Sequence, residues 1–469
     1  MTNITSLSVC EISRLLNAKE LSSLEITKAY IENIEKNAHL NAFITVCEEQ
    51  ALASAKESDQ RRLSGETLHP LDGIPFAVKD NLCTSGIPTT CASKMLRDFI
   101  PPYTATAVSR LTSAGGILLG KTNMDEFGMG SHSASPFSGR VINPRDSRLS
   151  PGGSSGGSAA AVSAGLTPYA LGTDTGGSVR LPAAYCGVVG MKPTYGAVSR
   201  YGLVAFASSL DHVGVLSNDI ASNALVLDTI KGKDRLDATS VCFEDSVMPS
   251  SAADLNGIRV GVPPLDNVSD GVRRAVEYSA DVLTRHGATV YPVTLPPDEV
   301  LVSAYYVISA AEASSNLARY DGVRYGYRAA SCESIDELFV RSRTEGFGDE
   351  VKRRIMLGTY CLSEGSKQKY YQKAVEVRQK ITQEVLNALS RCDLILSPVA
   401  ATEKQFTDSI PTTPLDVYRQ DAFTVTANLS GLPAISLPVG DKAVQLMGNR
   451  FSERLLYTAG ELLTREVQI

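Results

Sequence analysis

Two serines and one lysine stand in settings that favour acyl-transfer chemistry. Ser154 lies in the run Pro151–Ser158, which consists only of Pro, Gly and Ser. Ser178 ends a second glycine-rich turn, Gly172–Ser178, and Lys79 ends a short apolar run. A serine hydroxyl attacks a carbonyl carbon when a neighbouring base takes its proton, and an uncharged lysine can be that base.

The apolar run before Lys79 bears on the charge of its amine. An ordinary lysine has a pKa of about 10.4 and is protonated at pH 7. Burial destabilises the ammonium and lowers that pKa by up to several units. The run Ile74–Val78 therefore predicts a desolvated amine. The local pattern alone favours a simpler alternative, in which Lys79 forms an ion pair with a carboxylate such as Asp80.

The turn around Ser154 allows three other interpretations. Serine-glycine runs are typical of flexible linkers, and a glycine-rich turn before a helix can cradle phosphate, although the Gly-Lys-Ser/Thr of a P-loop is missing. Gly152-x-Ser154-x-Gly156 also fits a nucleophile elbow, which needs a preceding strand and a later histidine. Residues 144–150 make a poor strand, and only His212 and His286 follow. A histidine triad is therefore disfavoured.

The turn around Ser178 has two interpretations. Successive backbone N–H groups in such a turn can converge on one oxygen and form an oxyanion hole beside a nucleophile. The turn can equally be an ordinary connection from a strand to a helix that Ser178 caps.

Helices alternate with short apolar strands around these turns. The pattern predicts strands at 73–79, 116–120, 169–171, 258–262, 288–293, 394–396 and 434–437, and helices at 106–114, 158–164, 271–286, 301–319 and 367–391. Ser22 and Glu25 predict a capping box at an N-terminal helix. This alternation indicates an α/β fold, a single large domain with a mixed sheet covered by helices on both faces.

Composition narrows the class of protein. The 469 residues carry a net charge of −6 without a basic cluster, so nucleic acid is a poor direct partner. Nine cysteines without a Cys-x-x-Cys pair fit free thiols in a reducing compartment and predict no metal site. No signal peptide or apolar run of about 20 residues is evident, so we expect a cytoplasmic protein outside the membrane.

Taken together, the motifs closely resemble the amidase signature family. The resemblance rests on Val78–Asp80, Gly152–Ala160 and Gly172–Ser178, with 75 residues from Lys79 to Ser154 and 24 from Ser154 to Ser178. It implies that Ser178 is the nucleophile, Ser154 a bridging serine after a cis peptide bond, and Lys79 the base. It also implies oxyanion-hole amides at Thr175, Gly176 and Gly177.

A narrower resemblance, to the A subunits of bacterial glutamyl-tRNA(Gln)/aspartyl-tRNA(Asn) amidotransferases, rests on residues 124–131, 195–203, 312–322 and 351–355. It implies a glutaminase that delivers ammonia to a tRNA-binding partner for conversion of Glu-tRNA(Gln) to Gln-tRNA(Gln). A small clamp protein would complete a heterotrimer. No cofactor is expected in this chain, while ATP and Mg²⁺ are expected in the partner, and tRNA would be met only through the complex.

This resemblance also implies the residues that bind glutamine, namely Tyr305, Arg354 and Asp421. Tyr306 and Arg353 adjoin two of them, so either assignment could shift by one position. The domain would comprise residues 1–469, with a signature core at about 70–215, a βαβ-like region at about 255–295 and a substrate-reading part at about 300–440.

The chain departs from the subfamily in two places. Arg145 stands where tryptophan is usual, and the segment Val439–Gln445 is short. Three rival functions remain open: a stand-alone amidase acting on a small carboxamide, a non-catalytic scaffold of the same fold, and an esterase that depends on His212.

Overall fold

The computed structural model describes residues 3–135, 137–250, 254–410 and 413–467. Its strands are β1 (Phe43–Val46), β2 (Pro75–Lys79), β3 (Ile117–Thr122), β4 (Tyr169–Asp174), β5 (Val189–Lys192), β6 (His212–Ser217), β7 (Arg259–Val262), β8 (Thr289–Pro292), β9 (Leu394–Pro398), β10 (Ala434–Val439) and β11 (Lys442–Gly448).

The helices surround these strands. They are α1 (Val9–Asn17), α2 (Ser23–Lys36), α3 (Glu48–Leu63), α4 (Thr106–Ser113), α5 (Gly156–Ser163), α6 (Arg180–Cys186), α7 (Ile220–Ile230), α8 (Asp270–Arg285), α9 (Asp298–Leu317), α10 (Ile335–Gly346), α11 (Asp349–Leu362), α12 (Lys373–Leu389), α13 (Pro414–Arg419), α14 (Ala422–Ser430) and α15 (Glu453–Val467). None of those described has the length and apolarity needed to cross a bilayer.

All the strands form one mixed sheet in the order β1-β3-β2-β4-β6-β5-β10-β11-β9-β7-β8. β2 runs parallel to both β3 and β4, and β7 runs parallel to β8 and β9. The remaining pairs are antiparallel. The predicted fold class is confirmed: a single α/β domain in which helices flank a large mixed sheet.

The central strands are buried along their whole length, which explains their continuous apolar runs. Phe76 of β2 stacks on Tyr169 of β4 with ring centroids 5.7 Å apart. The parallel pairing brings the carboxyl ends of β2 and β4 to the same edge of the sheet. Lys79 and the turn that holds Ser178 therefore lie close together.

Most of the predicted elements are found, with boundaries moved by a few residues. The predicted capping box of Ser22 and Glu25 is confirmed at the start of α2. The single helix predicted at 367–391 is wrong in detail, because a π-helical turn, Gln368–Gln372, precedes α12. The short segment near 440 is a two-residue turn that joins β10 to β11, and Gly440 has the positive φ that such hairpins favour.

Candidate active site

Lys79 ends β2 beneath three hydroxyl groups. Its side chain is fully buried, and Nζ donates to Ser154 Oγ at 2.7 Å, to Ser155 Oγ at 2.9 Å and to Thr173 Oγ1 at 2.9 Å. Hydroxyls are neutral partners that accept these bonds without neutralising an ammonium, as a carboxylate would. The site therefore holds an amine next to a serine hydroxyl.

Burial lowers the pKa of Lys79 to about 7, although the more distant charges of Asp125, Asp174 and Asp211 oppose this shift. About half of the amine is then uncharged at neutral pH. The alternative ion pair with Asp80 is wrong. Asp80 lies 3.4 Å from the amine of Lys121 instead.

Ser154 lies in the buried turn that leads into α5. The Gly153–Ser154 peptide bond is cis, as the family resemblance implied, and a side chain on Gly153 would overlap the carboxylate of Asp125. The first amides of α5 are already occupied by protein groups, since Gly156 N–H donates to Ser133 Oγ. A solvated linker and a phosphate cradle are both excluded for this segment.

Ser178 follows β4 in a turn organised by the buried Asp174. The Asp174 carboxylate accepts N–H bonds from Gly177 at 2.9 Å and from Val179 at 3.2 Å, and it pairs with Arg180 at 3.0 Å. Burial opposes ionisation of Asp174, but the charge and hydrogen bond of Arg180, with smaller contributions from Lys192 and Asn428, hold its pKa well below its usual range. A backbone bond of 3.1 Å from Ser155 N–H to the Ser178 carbonyl joins the two glycine-rich turns.

The Ser178 hydroxyl is not used in the architecture of the turn. It caps no helix, because α6 begins at Arg180 after Val179, and it makes no hydrogen bond within the described ranges. The amides of Gly176 and Ser178 also have no partner there, whereas the Gly177 amide is committed to Asp174. The turn thus presents a free hydroxyl beside free N–H donors.

A small pocket opens over Ser178 and contains all three residues implied to bind glutamine. Its lining comprises Gly128, Gly130, Ser131, Gly153, Gly176, Gly177, Ser178, Phe206, Tyr305, Arg354 and Asp421. Tyr305 comes from α9, Arg354 from α11, and Asp421 from the residue before α14. Side chains far apart in sequence therefore converge on the free serine.

Arg354 offers a buried, partly unsatisfied guanidinium to this pocket. Its Nε donates to Glu350 at 2.7 Å, and the guanidinium lies over the rings of Tyr306 and Tyr418, at 4.4 and 4.6 Å from their centroids. Among the described residues, Nη1 has no hydrogen-bond partner. A buried charged donor without a partner favours an anionic ligand group. Arg353, the adjacent candidate, is half-exposed and pairs with Glu350.

Asp421 supplies the opposite charge. Its carboxylate accepts from Ser131 Oγ at 3.1 Å and from Tyr306 Oη at 2.5 Å. Burial raises the pKa of Asp421 to about 6, so it is mostly ionised at neutral pH. Tyr306 therefore supports the carboxylate, while Tyr305 lies against Gly176 and lines the pocket. A guanidinium and a carboxylate in one pocket complement the carboxylate and ammonium of an amino acid.

Three contacts were missed by sequence reasoning. Ser155 and Thr173 hold the amine of Lys79, and Ser131 holds Asp421. Each lies inside a motif already singled out, so hydroxyl residues next to the chosen ones were the available signal. His212 is buried and its Nδ1 lies 2.6 Å from the Leu210 carbonyl, and it makes no hydrogen bond to a serine hydroxyl among the described residues. This geometry disfavours the histidine-dependent alternative.

Family comparison agrees with the fold and with the motifs at this site. The amidase family model matches residues 25–457. The chain therefore belongs to the amidase family, a class of hydrolases.

Comparison with individual relatives indicates which members of the amidase family this chain resembles. The second A-type subunit of glutamyl-tRNA(Gln) amidotransferase from Clostridium acetobutylicum is 46% identical over 475 residues, which cover 99% of both chains. The crystal structure of the glutamyl-tRNA(Gln) amidotransferase A-type subunit from Thermotoga maritima has a TM-score of 0.80 at 38% identity, covering 98% of this chain and 94% of the other. The peptide amidase of Stenotrophomonas maltophilia has a TM-score of 0.85 at 28% identity, with 99% and 97% covered.

Proposed function

We propose that this chain is the glutaminase component of a tRNA-dependent amidotransferase. The observation that carries the proposal is a single pocket lined by Ser178, with its free hydroxyl, and by Arg354 and Asp421. Next to this pocket, the amine of Lys79 is hydrogen-bonded to Ser154. The 46% identity to a glutamyl-tRNA(Gln) amidotransferase component supports the same choice.

Glutamine would bind through its two α-substituents. The α-carboxylate accepts from the free N–H groups of Arg354, and the α-ammonium donates to Asp421, whose other partners are hydroxyls. Tyr305 lines the same pocket, with its hydroxyl close to Gly176. The side-chain carboxamide then points towards Ser178. A charged recognition end of this kind favours an amino acid over the small neutral amide of a stand-alone amidase.

The reaction begins with two proton transfers. Neutral Lys79 takes the proton of Ser154 as Ser154 takes the proton of Ser178, and Ser178 Oγ forms a bond to the carboxamide carbon. The free amides of Gly176 and Ser178 stabilise the developing oxyanion, whereas the Gly177 amide is held by Asp174. The Ser154–Ser178 hydrogen bond that this relay requires would form when substrate fills the pocket, since catalytic contacts often tighten only then.

The intermediate collapses as the carbon–nitrogen bond breaks. The relay returns its proton to the leaving nitrogen, which departs as ammonia, and a glutamyl ester remains on Ser178. Water then attacks that ester with Lys79 and Ser154 as the base, releasing glutamate and restoring the serine.

We infer that the ammonia passes to a tRNA-binding partner, where ATP and Mg²⁺ activate Glu-tRNA(Gln), and that a small clamp protein joins the two. Native mass spectrometry of the complex recovered with this chain tests the assembly. A three-chain complex with tRNA-stimulated glutaminase activity is expected. An isolated chain that hydrolyses small amides but not glutamine would favour a stand-alone amidase.

Trapping the acyl-enzyme tests the chemistry. Peptide mass spectrometry after rapid acid quench with glutamine should place a glutamyl adduct on Ser178. The Ser178→Ala variant should lose at least about 10³-fold in kcat for ammonia release. Modification of another residue, or unchanged activity in Ser178→Ala, would contradict the assignment and favour a scaffold role.

A further inference from the structure

One short segment, residues 125–131, contacts both the turn that holds Ser154 and the pocket that holds Asp421. At its start, Asp125 N–H donates to the Ser154 carbonyl at 3.2 Å. At its end, Ser131 Oγ donates to Asp421 Oδ1 at 3.1 Å. The segment therefore ties the turn of the bridging serine to the carboxylate of the recognition pocket.

Glu126 extends this connection to a third element. Its side chain is buried, Oε1 accepts from Ser93 Oγ at 2.5 Å, and Oε2 accepts from Gly348 N–H at 2.9 Å. Gly348 is the N-cap residue of α11 and has no side chain with which to cap that helix. The first amides of a helix need acceptors, and a carboxylate there also interacts favourably with the helix dipole. Glu126 thus accepts the amide of the N-cap residue and places a carboxyl group at the N-terminus of α11.

α11 carries Arg354 between two fixed points. The first is the contact of Gly348 with Glu126. The second is Gly358, which lies so close to the Ala310 carbonyl of α9 that a side chain there would overlap it. A helix held at both points cannot slide or tilt freely, so the guanidinium in between is held in register with the pocket.

We propose that Glu126 is a positioning residue that sets the place of Arg354 relative to Ser178, and thereby the affinity for the α-carboxylate of the substrate. This inference rests on the proposed glutaminase function. Burial raises the pKa of Glu126 to about 7, whereas its bonds to Ser93 and Gly348 and the nearby Lys352 favour the ionised form. An uncharged amide of the same shape can keep both contacts by accepting from Gly348 and donating to Ser93.

The test measures binding of L-glutamine by calorimetry to the full chain carrying Ser178→Ala, so that no turnover interferes. Glu126→Ala should raise the dissociation constant about tenfold, since it leaves the helix amide without its acceptor. Glu126→Gln should stay within about threefold of the parent, because both contacts survive. Ser93→Ala, which removes one of the two contacts, should raise the dissociation constant about threefold.

A double-mutant cycle decides whether Glu126 acts through Arg354. In an Arg354→Lys background, Glu126→Ala should weaken glutamine binding by less than about twofold, because the group that it positions has changed. Additive losses would overturn the proposal. Glu453→Ala is the matched control, since Glu453 is also buried and accepts a backbone N–H, from Thr194 at 2.8 Å. It should lower Tm and leave glutamine binding unchanged.

The failures of the two proposals are distinguishable. A Ser178→Ala chain that binds no glutamine contradicts the proposed function. Glutamine binding that Glu126→Ala and Ser93→Ala leave unchanged contradicts only the positioning role. If Glu126→Ala does not fold, Ser93→Ala and Glu126→Gln decide the matter alone, and an unaltered affinity in Ser93→Ala overturns the inference.

Discussion

Lys79 and Lys192 occupy matching positions in the sheet and differ in what they touch. Each is fully buried at the last residue of its strand, β2 or β5. Burial lowers the pKa of each to about 7. The amine of Lys79 bonds to three hydroxyls, one of them Ser154. The amine of Lys192 donates to the Pro193 carbonyl, its one hydrogen-bond partner among the described residues.

The difference separates a base from a merely buried amine. A lysine with a lowered pKa can accept a proton only from a group within hydrogen-bond reach, and a backbone carbonyl has none to give. Lys192 is also surrounded by fixed charges, with Arg180 lowering its pKa further and Asp174 and Glu453 opposing that shift. Geometry, and not pKa alone, therefore identifies Lys79 as the candidate base.

The largest expected effect is on kcat, which should fall in a Lys79 variant and change little in a Lys192 variant. Lys79→Met should lower kcat for glutamine-dependent ammonia release by about 10³-fold, since it removes the proton acceptor of the relay. Lys192→Met should stay within about fivefold, because a substitution away from the reacting atoms removes no proton transfer. Steady-state ammonia assays on the two variants make the measurement. Comparable losses in both, or activity retained in Lys79→Met, would mean that the wrong lysine has been chosen.

The sequence alone could not separate these lysines. Lys79, Lys121 and Lys192 all follow short apolar runs in strands, and all three are fully buried. The run before Lys79 correctly predicted desolvation, but the same pattern fits the other two. Tertiary contacts distinguish them: the amine of Lys121 lies near the Asp80 carboxylate just after β2, and the amine of Lys79 contacts hydroxyls from the Ser154 turn and from β4. Only the motif resemblance pointed to Lys79.

The recognition pocket also combines features that the sequence predicts with features that it does not. The α/β class follows from the periodicity of helices and strands, and it was predictable. The convergence of Tyr305, Arg354 and Asp421 was not, because it depends on how α9, α11 and the start of α14 pack together. Only the resemblance to the amidotransferase A subunits pointed to these three residues. The supports of Arg354, namely the stacked rings of Tyr306 and Tyr418, depend on packing that no local pattern reveals.

A second measurement compares how the two buried lysines affect the free energy of unfolding. The unfolded chain keeps a lysine pKa near 10.5, so between pH 7 and 10.5 it binds more protons than the folded chain. The folded state is therefore penalised most at and below pH 7, and this penalty falls as the pH rises. Lys192→Met should raise the free energy of unfolding by up to about 4 kcal/mol at pH 7, and by less at pH 9.5.

Lys79→Met should gain less than Lys192→Met, because it leaves the hydroxyls of Ser154, Ser155 and Thr173 without their shared donor. Urea unfolding of both variants at the two pH values provides the comparison. A gain that grows with pH, or a larger gain for Lys79→Met, would contradict the account of two neutralised amines.

The smallest expected effect concerns the pH at which the base becomes active. If neutral Lys79 is required, kcat should rise with pH and level off above about 7, the value to which burial lowers its pKa.

Thr173 Oγ1 accepts from the amine, and such a bond favours the charged form. Thr173→Val should therefore lower the pKa further and move the inflection to lower pH by about half a unit. Lys192→Met should leave the inflection in place, because its amine titrates in the same range but exchanges no proton with the reacting groups. A shift in Lys192→Met, or an inflection moved to higher pH in Thr173→Val, would show that the activity follows a different ionisation.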